Sequence, residues 1–228
     1  MGLAIFEFFK SGRDKPIHNW IDNEEEEPML PSLFFRNELL LPELEKTALD
    51  HARGRVLDVG AGAGRHSIIL QERGFEVVSL DASFHSCEVM KARELKNVIC
   101  SDIFSFRGEK FDTILLLMNG FGIAGNEQRL PFFIQHIKSL LNPGGAIVGE
   151  STDILYTIEN QARSHSIDIS KRYYGEVEFK LQYNDQLSEF PWIYADENLL
   201  ETISNQCGLK FTMLDRGDRY NYLCKLEN

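Results

Sequence analysis

Only four of the 228 residues are cysteine (Cys87, Cys100, Cys207, Cys224), and no two form a C-x-x-C pair. No Cys/His spacing suggests zinc, so the sequence predicts no metal site. The thiols read as reduced core or surface groups. No apolar run approaches the ~20 residues a helix needs to cross a bilayer. Basic residues are outnumbered 24 to 35 and the formal net charge is −11. With no Lys/Arg cluster, that argues against a surface that tracks nucleic-acid phosphates. The opening M-G-L-A-I-F-E-F-F-K carries Glu7 and no basic start, which argues against a secretory leader. These absences leave the expectation of a cytoplasmic protein, monomer or homodimer, with a small-molecule partner and neither nucleic acid nor membrane.

Apolar residues make up 43% of the chain, enough to bury a sizeable core. The length suits one α/β domain with an appendage. The rest of the chain is organised around residues 55–66, R-V-L-D-V-G-A-G-A-G-R-H. This reads as a buried strand, a glycine turn and a helix start, with the helix stopping at Gly74. Glycine allows a sharp turn and a close approach of ligand to backbone. Such a turn at a helix N-terminus invites a nucleotide. The dinucleotide fingerprint G-x-G-x-x-G/A fails at its sixth position, which is Arg65. The spacing is G-x-G-x-G, with Asp58 two residues before Gly60.

Further strands follow, two of them with an acid at the carboxyl end. Residues 75–81 end in Asp81, about twenty residues past the turn, where a second parallel strand sets a carboxylate against a ribose. One carboxylate accepts two hydrogen bonds and so holds both ribose hydroxyls. Ser83 is placed to cap the next helix. Residues 97–101 form a third strand, followed by Asp102 and Ile103. Residues 111–118 are nearly all apolar, as a strand covered on both faces requires. Asn119-Gly120-Phe121-Gly122 lie at its carboxyl end, where open α/β sheets bind ligands. Asn119 either orients a substrate or makes a turn. A helix is expected over 126–141, then a turn at Asn142-Pro143-Gly144-Gly145 and a strand over 146–149. Glu150, Ser151, Thr152 and Asp153 end that strand, and Asp153 is either an acid/base group or a helix cap.

Alternation over 172–195 predicts a β-hairpin turning at Asn184-Asp185, with Val177, Phe179, Leu181 and Tyr183 on one face. Tyr173, Tyr174, Trp192 and Tyr194 either line an acceptor pocket, or the hairpin extends the sheet or pairs two subunits. A helix over 196–208 and two strands, 209–214 and 220–226, close the chain. Residues 1–28 read as peripheral, ending in the solvated run Glu24-Glu25-Glu26-Glu27-Pro28. Residues 29–52 read as two short helices, with Pro42 in the first turn of the second. Phe34, Phe35 and Arg36 either fill the seam between helix and sheet or belong to a lid over a ligand.

The glycine block and the paired acids resemble the class I methyltransferases that use S-adenosylmethionine. The resemblance runs motif by motif over 54–150 and by element order over 196–228. It implies a Rossmann-like, seven-stranded, mostly parallel sheet of order 3-2-1-4-5-7-6. Strand 7 would be antiparallel, helices would cover both faces, and a hairpin would be inserted after strand 5. It implies a lid and extension over 1–53 and a methyltransferase domain over 54–228. By resemblance, Asp58, Gly60, Ala61, Gly62 and Gly64 hold the methionine portion. Asp81 with Ala82 holds the ribose, and Asp102 with Ile103 the adenine. Asn119 and Gly120 face the donor methyl. His66 either touches the cofactor or hydrogen-bonds inside the loop. Asn119 and Asp153 are the catalytic candidates, for in-line methyl transfer to an unidentified acceptor. The alternatives are a non-catalytic module that binds S-adenosylmethionine or S-adenosylhomocysteine, and an NAD-dependent oxidoreductase.

Overall fold

A computed structural model describes residues 1–155 and 172–228. Its centre is a seven-stranded sheet ordered β10-β11-β7-β6-β3-β4-β5. In chain order these are β3 (Arg55–Val59), β4 (Glu76–Asp81), β5 (Val98–Cys100), β6 (Phe111–Leu116), β7 (Leu141–Thr152), β10 (Lys210–Arg216) and β11 (Asn221–Glu227). β11 runs antiparallel to both β7 and β10, while the other neighbours are parallel. Renumbered within the sheet, this is the expected 3-2-1-4-5-7-6 order.

Helices α2 (Glu43–Asp50), α3 (Arg65–Glu72), α4 (Phe84–Ala92), α5 (Leu130–Lys138) and α6 (Glu197–Gln206) cover the sheet. One apolar cluster packs α5 and α6 on one face; a second packs α2 and α3 on the other. The central strand β6 is buried from Thr113 to Leu116, which explains its unbroken apolar run. Ser83 caps α4 through the Ser86 amide, and Asp196 caps α6 through two amides.

Four expectations need correction. Residues 1–28 are not peripheral. Helix α1 (Gly2–Ser11) packs on α4 and buries Ala4 and Ile5 completely. β1 (His18–Ile21) and β2 (Glu24–Glu25) join the hairpin strands β8 (Glu176–Tyr183) and β9 (Gln186–Ile193) in a second sheet, β2-β1-β8-β9. The acidic run is exposed, yet its first two residues are paired strand. The hairpin does not extend the main sheet. Leu181 and Tyr183 pack instead with Ala4 and Ile17, so an N-terminal face finds its partner far along the chain.

The second correction concerns 29–52: before α2 stand two 3-10 turns, Pro31–Phe35 and Glu38–Leu40, and Pro42 is the residue before α2 rather than inside it. Third, the helix expected from 126 begins at Leu130, because Pro131 suits only its first turn. Fourth, Asn142–Gly145 does not precede the strand but interrupts it. Leu141 already pairs with Phe111 before the register shifts. The helix expected after Asp153 lies outside the described residues.

Candidate active site

The glycine turn joins β3 to α3 and sits over the carboxyl edge of the sheet. Gly62 takes φ +59°, which a side chain would strain, and its amide donates to Asp81 Oδ2 at 2.8 Å. The Ser83 amide donates to the other oxygen at 2.8 Å. The Ser86 side chain also hydrogen-bonds this carboxylate, and the Met1 ammonium lies within electrostatic reach. Burial pushes the Asp81 carboxyl above its ordinary range, outweighing both amide bonds. Ala82 lies exposed at the bend after it.

Asp58 ends up beneath the turn, 2% exposed, accepting from Ser67 Oγ at 2.6 Å. Asp102 is exposed at the end of β5 and caps a 3-10 turn by accepting from the Phe104 amide. Ile103 is buried at the start of that turn. Asp58, Gly60, Ala61, Gly62 and His66 line one cavity, with Phe34, Arg65 and Met118. Of the three lid candidates, Phe34 lines the cavity. Phe35 turns away, against Phe8, Phe9 and the Arg93 guanidinium. Gly64 lies behind the turn against Leu95 and Met90.

At the carboxyl end of β6 the chain turns through two successive left-handed residues, Met118 (φ 53°) and Asn119 (φ 60°). Non-glycine residues adopt this region rarely, and the surroundings hold it in place. The Glu150 carboxylate accepts from the Met118 amide at 3.1 Å and from Asn221 Nδ2 at 3.2 Å. Burial raises the Glu150 carboxyl above its usual range. Asn119 Oδ1 accepts from Thr152 Oγ1 at 2.7 Å, so Asn119 is a turn residue held by a side chain. Gly120 is buried against Leu116 at the start of the following 3-10 turn, Gly120–Ala124.

Asp153 Oδ1 accepts from the Tyr174 hydroxyl and the Leu155 amide, both at 2.9 Å. Among the described residues its Oδ2 accepts no hydrogen bond. Tyr173 packs against Tyr174 with ring centroids 4.6 Å apart and planes tilted by 45°, and it donates its hydroxyl to Asp196. Burial pushes both phenols up, so they remain protonated donors at neutral pH. The Trp192 indole lies against Gly122. Asn119, Asp153, Tyr174 and Trp192 therefore converge at the ends of β6, β7 and the hairpin.

Sequence reasoning missed Glu45 and undervalued Arg65. Glu45 is 5% exposed on α2, where Arg65 Nη2 donates to its carboxylate and His66 Nε2 lies 2.6 Å from Oε2. A signal was present. Leu41, Leu44, Ala48 and Leu49 mark a helical apolar stripe that includes position 45. Among the described residues no cluster of His, Cys, Asp and Glu has the form of a metal site. No helix there is long and apolar enough to cross a membrane.

The sheet order, its single reversed strand and the glycine turn beside a strand-end carboxylate define a Rossmann-like methyltransferase fold. Comparisons agree. A family model described as a methyltransferase domain matches residues 56–145. Mouse glycine N-methyltransferase is 32% identical over 117 residues, which is 43% of this chain and 40% of the relative. The probable S-adenosyl-L-methionine-dependent methyltransferase TehB of Haemophilus influenzae is 29% identical over 172 residues, 71% of this chain and 57% of the relative. The chain thus spans about half the length of these curated relatives. A crystal structure of a methyltransferase from Bacteroides fragilis, in complex with S-adenosyl-L-homocysteine, superposes with TM-score 0.88 at 37% identity, over 99% of this chain and 92% of that one. The chain belongs to the class I S-adenosylmethionine-dependent methyltransferases. S-adenosylmethionine is accordingly its cofactor.

Proposed function

We propose that the chain transfers a methyl group from S-adenosylmethionine to a small molecule, and that the acceptor atom is an amine nitrogen. The observation that carries the cofactor half is the Gly62–Asp81 bond, which ties a strand-end carboxylate to the glycine turn that lines the cavity. The donor set fits the cofactor. Asp58, Gly60, Ala61, Gly62, Gly64 and His66 would hold its amino-acid end, Asp81 and Ala82 its ribose, and Asp102 and Ile103 its adenine. Asn119 and Gly120 would face the methyl group. We assign 1–53 to the extension and lid, and 54–228 to the methyltransferase domain with its hairpin over 172–195.

When bound, the cofactor supplies a methyl group on a positively charged sulfur, an excellent leaving group. The chain's contribution is then alignment and exclusion of water. The second sheet carries Trp192 down onto Gly122, roofing the carboxyl edge. Tyr174 fixes Asp153 through Oδ1, and among the described residues Oδ2 is left to hold an ammonium or take its proton. The amine reading draws on that acid and on the mouse relative, a glycine N-methyltransferase. The net charge of −11 favours a cationic small molecule over nucleic acid.

Calorimetric titration with S-adenosylmethionine, S-adenosylhomocysteine and NAD tests the cofactor, beside Asp81→Ala. Binding of the sulfur nucleosides alone, lost in the variant, supports the reading; binding of NAD alone overturns it. A panel of small amines and alcohols, followed by S-adenosylhomocysteine release, tests the acceptor. Turnover of alcohols only would reject the amine assignment.

A further inference from the structure

A second hollow lies between α3 and the segment that precedes α2. It is lined by residues 35–39, by Arg65, Ile68, Ile69 and Glu72 of α3, and by Arg93, the residue that follows α4. The four α3 positions are spaced i, i+3, i+4 and i+7, so they share one helix face. The hollow encloses about 330 Å³, at the lower end of the range for small-molecule sites. It has only Arg65 in common with the glycine cavity; Asp58, Gly60, Ala61 and Gly62 line that cavity and not this hollow.

Three arginines and two glutamates line it, and some of this charge is already spent. Arg65 is paired with Glu45, and the Glu38 carboxylate accepts from Arg73. Arg36, Arg93 and Glu72 are left. Arg93 donates Nη1 to the Ala63 carbonyl at 2.6 Å, and its guanidinium lies 5.0 Å over the Phe35 ring. The ring holds the group in place without neutralising it. Burial pulls the Arg93 guanidinium below its ordinary value, against the opposing pull of Glu72. Arg36 is half-buried. Among the described residues its guanidinium has no hydrogen-bond acceptor and no carboxylate partner, and a like charge, Arg65, is within electrostatic reach. A sheltered cation without a counter-ion is costly, and a planar guanidinium matches the paired oxygens of a carboxylate or phosphate. Phe35, Ile68 and Ile69 supply apolar surface beside these two groups, and Leu39, 86% exposed, adds more.

We propose that this hollow is a second binding site, for a small organic anion whose carboxylate or phosphate head is held by Arg36 and Arg93 and whose apolar body lies against Phe35, Ile68 and Leu39. The site is separate from the one that takes the cofactor, and it stands whether or not the acceptor is an amine. Glu72 sets its selectivity, because a carboxylate beside Arg93 opposes weakly held anions.

Calorimetry on the full chain tests this with four probes. Benzoate and phenyl phosphate carry a ring and an anionic head. Benzylamine keeps the ring and reverses the charge, and inorganic phosphate keeps the head and lacks the ring. At least one ring-bearing anion should bind about tenfold more tightly than either control, and the tighter of the two identifies the head group. Arg36→Gln should weaken that binding about tenfold, the scale of a lost charge-assisted hydrogen bond. Glu72→Gln removes the opposing charge and should tighten it about threefold, a gain that a damaged fold cannot imitate. Thermal melts confirm the fold of both variants. S-adenosylhomocysteine affinity should be the same in Arg36→Gln as in the wild type. No binding of either ring-bearing anion, equal binding of a control, or indifference to either substitution would each overturn the inference. Loss of S-adenosylhomocysteine binding in Arg36→Gln would overturn it too, by placing Arg36 in the cofactor site.

Discussion

The Trp192 indole occupies the space a side chain at position 122 would need: a Cβ on Gly122 would come within 2.1 Å of the ring. Because β9 packs on the Gly120–Ala124 turn here, this contact joins the second sheet to the reaction edge. Gly122→Ala should push the indole away. The expected destabilisation is about 1–3 kcal/mol, the usual scale for overpacking. A lowered melting temperature with a shift in tryptophan emission would show it. An unchanged emission spectrum would mean that the two elements are not coupled.

Glu150 should impose a pH dependence on stability. Its carboxyl is raised in the folded chain, chiefly by burial. The folded state therefore holds the proton more tightly than the unfolded chain does. Ionisation costs stability above the folded pKa, and the cost disappears as pH falls below the unfolded value. Glu150→Gln should flatten this dependence while still accepting from Met118. Glu150→Leu should lose about 1–3 kcal/mol by leaving the Met118 amide unpaired. Denaturant melts of the three chains across the acid range check the ordering.

Asp81 predicts an acid limit on nucleoside binding. If Asp81 holds the ribose as proposed, its ionised form is the one that accepts from both hydroxyls, and burial, aided by the Asp58 charge, raises its pKa. Affinity for S-adenosylhomocysteine should fall as pH drops through a value above the ordinary carboxylate range. Asp81→Asn should bind at least about tenfold more weakly with that dependence removed. Calorimetry at several pH values measures both.

Ile5 tests whether α1 belongs to the site. It is fully buried beside Phe34 and Ala63, next to the glycine turn. Ile5→Ala should cost about 2–5 kcal/mol by cavity formation. It should also weaken nucleoside binding, because Phe34 loses its backing. A melt and a titration on the same variant separate these effects.

The parallel half of the sheet could be read from the chain because each strand carries a local signature. β6 is mostly apolar, β4 ends in Asp81, and glycines follow β3. Long-range partners left no such mark. The apolar face of α1 announces burial without naming Leu181 and Tyr183 as what it meets. The hairpin's alternation predicts two strands, yet nothing in it says that His18 will lie opposite Gln182. Asp58 and Asp81 stood at motif positions. Glu45 is joined to Arg65 only by the packing of α2 on α3, and a lone acid on an apolar stripe points to burial without naming its counter-ion.

The second sheet also sets an order of events in folding. The Glu178 amide donates to Asp22 Oδ1 across 156 positions of chain, so β1, paired locally with β2, lacks its second neighbour until β8 exists. Closing so long a loop is entropically slow, whereas the β3–α3–β4 unit forms from neighbours in sequence. During synthesis from the N-terminus, the nucleotide-binding half can consolidate while β1 waits for the hairpin to emerge. The roof therefore arrives after the β3–α3–β4 unit beneath it, and a chain stalled before residue 176 carries an open carboxyl edge.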